Sequence, residues 1–145
     1  MQYVALVTKE GRRQLAEFPD CPGCQTFAES GEDIKSVAQE ALEGWLEAHL
    51  VAGEAPPWPS KVRPGKNRRA IAVTVPPMLA TKITIRHARL AAGLTQAQLA
   101  KRTGLSQPAI ARLEDPDHNP TLETLQRVAE ALDADLLVTI SPRQQ

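Results

Sequence analysis

The hydrophobic pattern changes character once along the chain, and the change separates two kinds of architecture. In the front half the apolar positions come in short runs. Tyr3-Val-Ala-Leu-Val-Thr8 is apolar and partly β-branched, Glu10-Gly11 signals a turn, and Gln14-Leu-Ala-Glu-Phe18 alternates polar and apolar residues. Alternation at period two buries one face of a strand. Pro19-Asp-Cys-Pro-Gly23 is a turn cluster, and Cys24-Gln-Thr-Phe-Ala28 predicts a third strand. Ile34, Val37, Ala38, Ala41, Leu42, Trp45 and Leu46 then recur at helical spacing, with Glu32, Asp33, Glu40, Glu43 and Glu47 largely opposite. This predicts an amphipathic helix from about Glu32 to Leu50.

Gly53–Asn67 holds four Pro and two Gly. Proline removes a donor and restricts its predecessor, so the stretch reads as a linker or a long loop. Ala70-Ile-Ala-Val-Thr-Val75 reads as a further strand, stopped by Pro76-Pro77. The front is therefore expected to be α+β: a small antiparallel sheet with one packed helix, in the order βββαβ. Because the last strand returns to that sheet, the first domain is expected to span 1–76, with the Pro-rich basic loop 53–69 inside it. The second spans 77–145.

Beyond Pro77 the period becomes helical. Met78, Leu79, Ile83, Ile85, His87 and Leu90 precede Ala91-Ala-Gly93. Thr95 followed by Gln98 is a capping-box pattern, in which the two side chains satisfy orphan donors at a helix start. Thr103-Gly104-Leu105 is a tight break. Ser106 suits the cap of Gln107–Glu114, where Pro108 falls harmlessly in the first turn. Thr121 caps Leu122–Leu132, and Leu136-Leu-Val-Thr-Ile140 is expected to be a terminal strand able to pair with another chain.

Composition narrows the class. The 145 residues are 42% apolar and 23% charged, which is globular, and aromatics are only 3%, so the core must rest on Leu, Val, Ile and Ala. No apolar run approaches the ~20 residues of a membrane span, and the N-terminus lacks the order of a signal peptide, so the expected partners exclude a membrane and the default compartment is the cytoplasm. The formal net charge is zero, but it is unevenly distributed. Residues 1–60 carry 4 basic and 10 acidic groups, 61–79 carry 5 basic and no acidic ones, and 80–145 carry 8 and 7. An acidic front and a near-neutral back suggest different partners for the two halves.

The two short helices around Gly104 form a helix-turn-helix pattern. Leu99, Ala100, Leu105, Ile110 and Leu113 fall where such helices pack, and Gly104 where the chain needs positive φ. That leaves Gln107, Pro108, Ala111 and Arg112 for the outward side, which fits a DNA major groove. Gln pairs with adenine, Arg with guanine, and Pro or Ala touches a thymine methyl. Gln96 and the capped helix starts offer donors to phosphate oxygens. The full candidate DNA-binding set is Gln96, Ser106, Gln107, Pro108, Ala109, Ala111, Arg112 and Asn119.

Leu94–Leu132, and LTQAQLAKRTGLSQPAIARLE most specifically, resembles the five-helix Cro and lambda-repressor (XRE-like) family. Pro108 departs from it, standing where the family often has a polar base-reading side chain. The front, with Phe18-Pro-Asp-Cys-Pro-Gly-Cys24, Thr26, Ser30-Gly31-Glu-Asp33 and an alanine-rich acidic helix, resembles HicB-type antitoxins over about Tyr3–Pro59. The resemblance implies a partial ribonuclease-H-like front that masks a small basic HicA-like toxin, an mRNA-cleaving protein. It also implies autorepression through operator DNA, and a homo-oligomer of two or four chains.

Catalysis is not expected. A ribonuclease-H-type site needs carboxylates converging on divalent metals, and Gln2–Thr8 has none. The helix acids instead suit a solvated face or a dock for a basic partner, whose contact residues the sequence leaves unknown. The lone Cys21-Pro-Gly-Cys24 cannot complete a zinc site, and His49, His87 and His118 show no metal spacing, so no metal or other cofactor is expected. Lys61, Arg63, Lys66, Arg68 and Arg69 fit either a solvated loop or a phosphate-touching arm. The rival functions are a stand-alone regulator whose front binds a small ligand, and a degenerate nuclease-fold enzyme.

Overall fold

The computed structural model describes residues 1–144. It divides into two compact units, the first Met1–Thr84 and the second from Ile85 onward. In the first, strands β1 (Gln2–Glu10), β2 (Arg13–Glu17) and β3 (Gln25–Ala28) are followed by helix α1 (Ile34–Val51) and strand β4 (Arg68–Thr74). The order is the βββαβ expected. All pairings are antiparallel and the sheet runs β3-β2-β1-β4, so β1, the strand with the most buried residues, lies inside it.

Local chemistry sets the turns. Glu10 pairs with Arg13, leaving a two-residue hairpin loop whose first position is Gly11 at φ +63°, as mirror-image hairpin turns demand. In Cys21-Pro-Gly-Cys24 the Cys24 amide donates to the Cys21 carbonyl at 2.9 Å, with Gly23 at φ +84°. Pro followed by a positive-φ Gly is the signature of a type II turn. The flanking Phe18 and Cys24 close it through an amide-to-carbonyl bond of 3.1 Å. Burial pushes the Cys21 thiol up to about 12, helped by Cys24 and Asp20, and the Cys24 thiol up to about 11. Both therefore stay protonated packing groups.

Asp33 caps α1, accepting from the amides of Lys35 and Ser36. Ile34, Ala38, Leu42, Leu46 and Leu50, spaced by four, are buried against Tyr3, Ala5 and Val7, which alternate along β1, and against Ala16, Ala28 and Val73. The Pro-rich stretch is a pinned loop, not a free linker. The Tyr3 hydroxyl donates to the Pro57 carbonyl at 2.6 Å, and Asp20 accepts from both the amide and the hydroxyl of Ser60 at 2.7 and 2.6 Å. This lets the chain leave α1 and return beside β1.

Helix α2 (Pro77–Ala91) sends Leu79 and Ile83 into the first core, and the division at 84/85 falls inside it, later than the expected 76/77. In the second unit α3 (Gln96–Thr103), α4 (Gln107–Leu113) and α5 (Leu122–Ala131) join the end of α2 around Ile85, Leu94, Leu99, Ala100, Ile110, Leu113, Leu125 and Val128. The expected strand Leu136–Ile140 is not formed. Leu136 packs on this core, but among the described residues the second unit has no sheet whose edge the segment could join.

Replacing Tyr3 by Phe is expected to lower stability by about 0.5–1.5 kcal/mol, the net worth of one hydrogen bond. It should also speed proteolysis within residues 53–67. Urea unfolding and limited proteolysis check both; an unaltered midpoint and digest would mean the loop is held by other contacts.

Candidate nucleic-acid interface

The helix pair around Gly104 is built by reciprocal caps. Thr95 accepts from the Gln98 amide at 3.1 Å while Gln98 accepts from the Thr95 amide at 2.9 Å, completing the expected capping box. Ser106 accepts from the Ala109 amide at 3.3 Å and Thr121 from the Thr124 amide at 3.2 Å, so α4 and α5 are capped as the sequence indicates. Gly104 ends α3 in the left-handed region at φ +71°. Arg127 of α5 donates to the Thr103 carbonyl at 2.9 Å, satisfying an orphan acceptor at the end of α3.

Helix α4 is divided by burial as the motif requires. Ile110 and Leu113 are sunk in the core, whereas Ser106, Gln107, Pro108 and Arg112 are exposed and Ala109 and Ala111 are half-buried. Ala109, Arg112 and Asn119 share the wall of a shallow concavity of about 260 Å³, which His118 and Thr124 also line. Three of the eight candidates thus converge with two residues that periodicity alone does not select. Asp115 faces His118 at 3.2 Å across the same loop. Gln96 stands apart: its amide donates to Glu114 at 3.0 Å, which makes it a structural residue before anything else.

Glu114 is the residue that sequence reasoning passed over. Its side chain is fully buried at the C-terminal end of α4, where a helix dipole opposes negative charge. Arg89 answers it with Nε at 2.6 Å and Nη2 at 3.0 Å, and Arg86 with Nε at 3.1 Å. Arg89 also donates to the Leu94 carbonyl at 2.8 Å. Burial raises the carboxyl pKa, but the hydrogen bonds from Arg89 and Gln96 and the charges of Arg89 and Arg86 outweigh it and hold it below the usual value. A signal was present: Glu114 lies four residues after Ile110 and beside Leu113, on the face that must be buried.

The basic loop resolves unevenly. Arg68 and Arg69 belong to β4, with Arg68 3.6 Å from Glu17 and Arg69 donating to Gln14 at 2.8 Å, whereas Lys61, Arg63 and Lys66 are exposed in the loop itself. Among the described residues there is no cluster of three or more His, Cys, Asp or Glu side chains that could hold a metal ion. Nor, among them, is any helix long and apolar enough to cross a membrane.

Removing one member of such a buried ion pair costs about 3–5 kcal/mol, and Glu114→Ala is expected to fall in that range. A carboxyl whose folded pKa is depressed contributes stability above its ordinary range and loses it as pH falls through the folded value. The gap between the wild type and Glu114→Gln should thus be largest near neutrality and close in acid. Thermal unfolding at several pH values measures it, and a gap independent of pH would contradict the ion pair.

Comparison with known proteins gives this geometry a context. A family model described as a helix-turn-helix matches residues 85–138, the second unit almost throughout. The antitoxin HicB 1 of Photorhabdus laumondii is 30% identical over 141 residues, covering 97% of this chain and 87% of that protein. The antitoxin HicB of Escherichia coli K12 is 28% identical over 122 residues, covering 84% and 86%. The antitoxin HigA1 of Mycobacterium tuberculosis is 45% identical over a stretch of 47 residues, 32% of each chain. A second family model, the HicB-like antitoxin of bacterial toxin–antitoxin systems, matches residues 3–91, and on that match and the full-length relatives the chain belongs to the HicB-like antitoxins, regulators rather than enzymes.

Proposed function

We propose that this antitoxin neutralises a toxin and represses transcription with separate surfaces. The second unit binds operator DNA and represses the operon that encodes it. The first masks a small basic toxin of the HicA type, one that cleaves messenger RNA. The observation that carries the DNA reading is the exposed outer side of α4, Gln107, Pro108 and Arg112, on a helix whose inner side is locked into the core. In the groove, Arg112 reads guanine and Gln107 adenine, while Pro108, Ala109 and Ala111 supply apolar contacts. Ser106 positions the helix start and Asn119 contributes a neighbouring polar contact. The net −6 of residues 1–60 supports a basic partner for the front, because opposite charge speeds encounter and selects against acidic competitors. The repressor works in the cytoplasm as a dimer or tetramer, and its two-fold symmetry places half-sites about one helical turn apart, or a multiple of that.

Co-expression with the adjacent reading frame tests the neutralising role, since a small basic protein should co-purify and lose its toxicity. A chain that brings down no partner and binds its operator only with a small molecule added would instead be a ligand-responsive regulator. For the repressing role, Arg112→Ala is expected to weaken operator binding by about 1–3 kcal/mol while leaving toxin neutralisation intact. Titration on operator and on scrambled duplexes separates the contributions; equal loss on both would show that Arg112 contributes charge and not base recognition.

In the same titrations, charge reversal at Lys61, Arg63 and Lys66 should flatten the dependence of affinity on salt if that loop touches phosphate. An unchanged slope assigns it to solvent.

A further inference from the structure

The sheet of the first unit is apolar on both faces. An antiparallel strand with one face in water alternates apolar and polar residues, but Tyr3-Val-Ala-Leu-Val7 does not. Tyr3, Ala5 and Val7 point into the core against α1, so Val4 and Leu6 stand on the outer side. By the same alternation and the pairing register, Leu15 and Phe27 extend an outer apolar strip across β2 and β3, and Ala70 and Ala72 extend it across β4. Phe27 is 38% exposed. Within the strip the Thr8 hydroxyl is buried without a hydrogen-bond partner, which costs free energy until something bonds it.

One contact crosses this face. Glu17 lies opposite Leu6 on one side of β1 and Arg68 opposite Thr8 on the other, yet their side chains meet at 3.6 Å. The pair therefore straps the strip over Leu6 and Thr8. The two side chains are 43% and 35% exposed, and an ion pair so open to water holds weakly. Beside it Glu17, Gln25 and Arg68 share with Pro22 and Gly23 the wall of a concavity of about 300 Å³.

We propose that this outer face is where the first unit meets its toxin, and that a lysine or arginine of the toxin takes Glu17 from Arg68. The inference rests on the reading of the front as a toxin mask and names the surface that does it. Val4, Leu6, Leu15 and Phe27 supply the desolvated apolar centre that tight protein contacts need. Glu17 offers a carboxylate to a cation entering the concavity. The cations of the face are already engaged, Arg68 with Glu17 and Arg13 over the Phe27 ring at 4.7 Å, so little positive charge is left for a nucleic acid. Opening the strap uncovers Leu6 and lets the Thr8 hydroxyl bond the partner. Glu40 and Glu47 of α1 have charge without such an apolar centre, and act at a distance by steering the encounter.

The test is titration of the full chain with the small basic protein of the adjacent reading frame. Glu17→Lys and Phe27→Ala should each weaken the complex about tenfold or more. Arg68→Ala removes the competitor for Glu17, and should tighten the complex or leave it unchanged. Glu40→Lys with Glu47→Lys should leave affinity within about threefold of wild type once salt screens long-range attraction. Circular dichroism and the urea midpoint of Phe27→Ala and Arg68→Ala should stay near wild type, because both side chains are exposed. A wild type that binds no such protein overturns the toxin reading and this surface with it. A wild type that binds, while folded Glu17→Lys and Phe27→Ala chains bind equally well, overturns the surface alone. An Arg68→Ala loss equal to that of Glu17→Lys overturns the exchange of partners. A Phe27→Ala chain whose own mass in solution falls while its toxin affinity holds gives the face to a second copy and overturns the proposal.

Discussion

The second unit depends on a buried carboxylate. Glu114 sits where a helix dipole opposes it and where water cannot reach it, so it is tolerable only with Arg86, Arg89 and Gln96 in place. Those partners come from α2 and α3, while Glu114 ends α4. One charge thus fixes the relative positions of three helices, with a directional geometry that apolar packing alone would not impose. The position of α4 follows from it. Ile110 and Leu113 hold the inner side, the ion cluster holds the C-terminal end, and the N-terminal end is free to present side chains outward.

In the first unit the constraint is different. The sheet must accept β4 beside β1 after a detour through a helix and a Pro-rich stretch. The detour is held by Tyr3 and Asp20, which reach from the sheet and its turn cluster to Pro57 and Ser60. The turn at Cys21–Cys24 therefore has a double role, ending β2 and positioning Asp20. In this unit Glu40 and Glu47 stand exposed on α1, opposite the buried Ile34-Ala38-Leu42-Leu46 row.

Features encoded by local spacing were legible in the sequence. The cap pairs Thr95 with Gln98, Ser106 with Ala109 and Thr121 with Thr124, the positive φ of Gly104, and the four-residue spacing in α1 each involve residues close in the chain. The order of elements along the first unit was legible because alternating runs were separated by turn residues with a stated geometry, whereas the placing of β1 between β2 and β4 was not read from the sequence. What the sequence concealed was non-local. Glu114 meets Arg86 and Arg89 across more than a helix, and no periodicity announces a pair of that kind, although a glutamate on the buried face was a warning. The boundary inside α2 was hidden because a helix can serve two cores without any break in its pattern. Residues 136–140 have strand-forming chemistry, but among its described residues the second unit has no sheet edge to pair with. Of the candidate site, the exposed side of α4 followed from its periodicity, whereas the role of Gln96 depended on a partner eighteen positions away.

Gly104 carries one more implication. A Cβ built on it would stand 3.3 Å from Nη2 of Arg127, the same atom that donates to the Thr103 carbonyl. The absent side chain therefore does two jobs, permitting a backbone turn and leaving room for a guanidinium from α5. The two positions are therefore in steric contact as well as joined through the Thr103 carbonyl. A larger residue at 104 would meet a backbone penalty and a steric one together, while a shorter residue at 127 would relieve only the second. Among relatives, variation at the turn should be correlated with variation at 127, and the reach of that correlation would measure how firmly α5 is bound into the geometry of the motif.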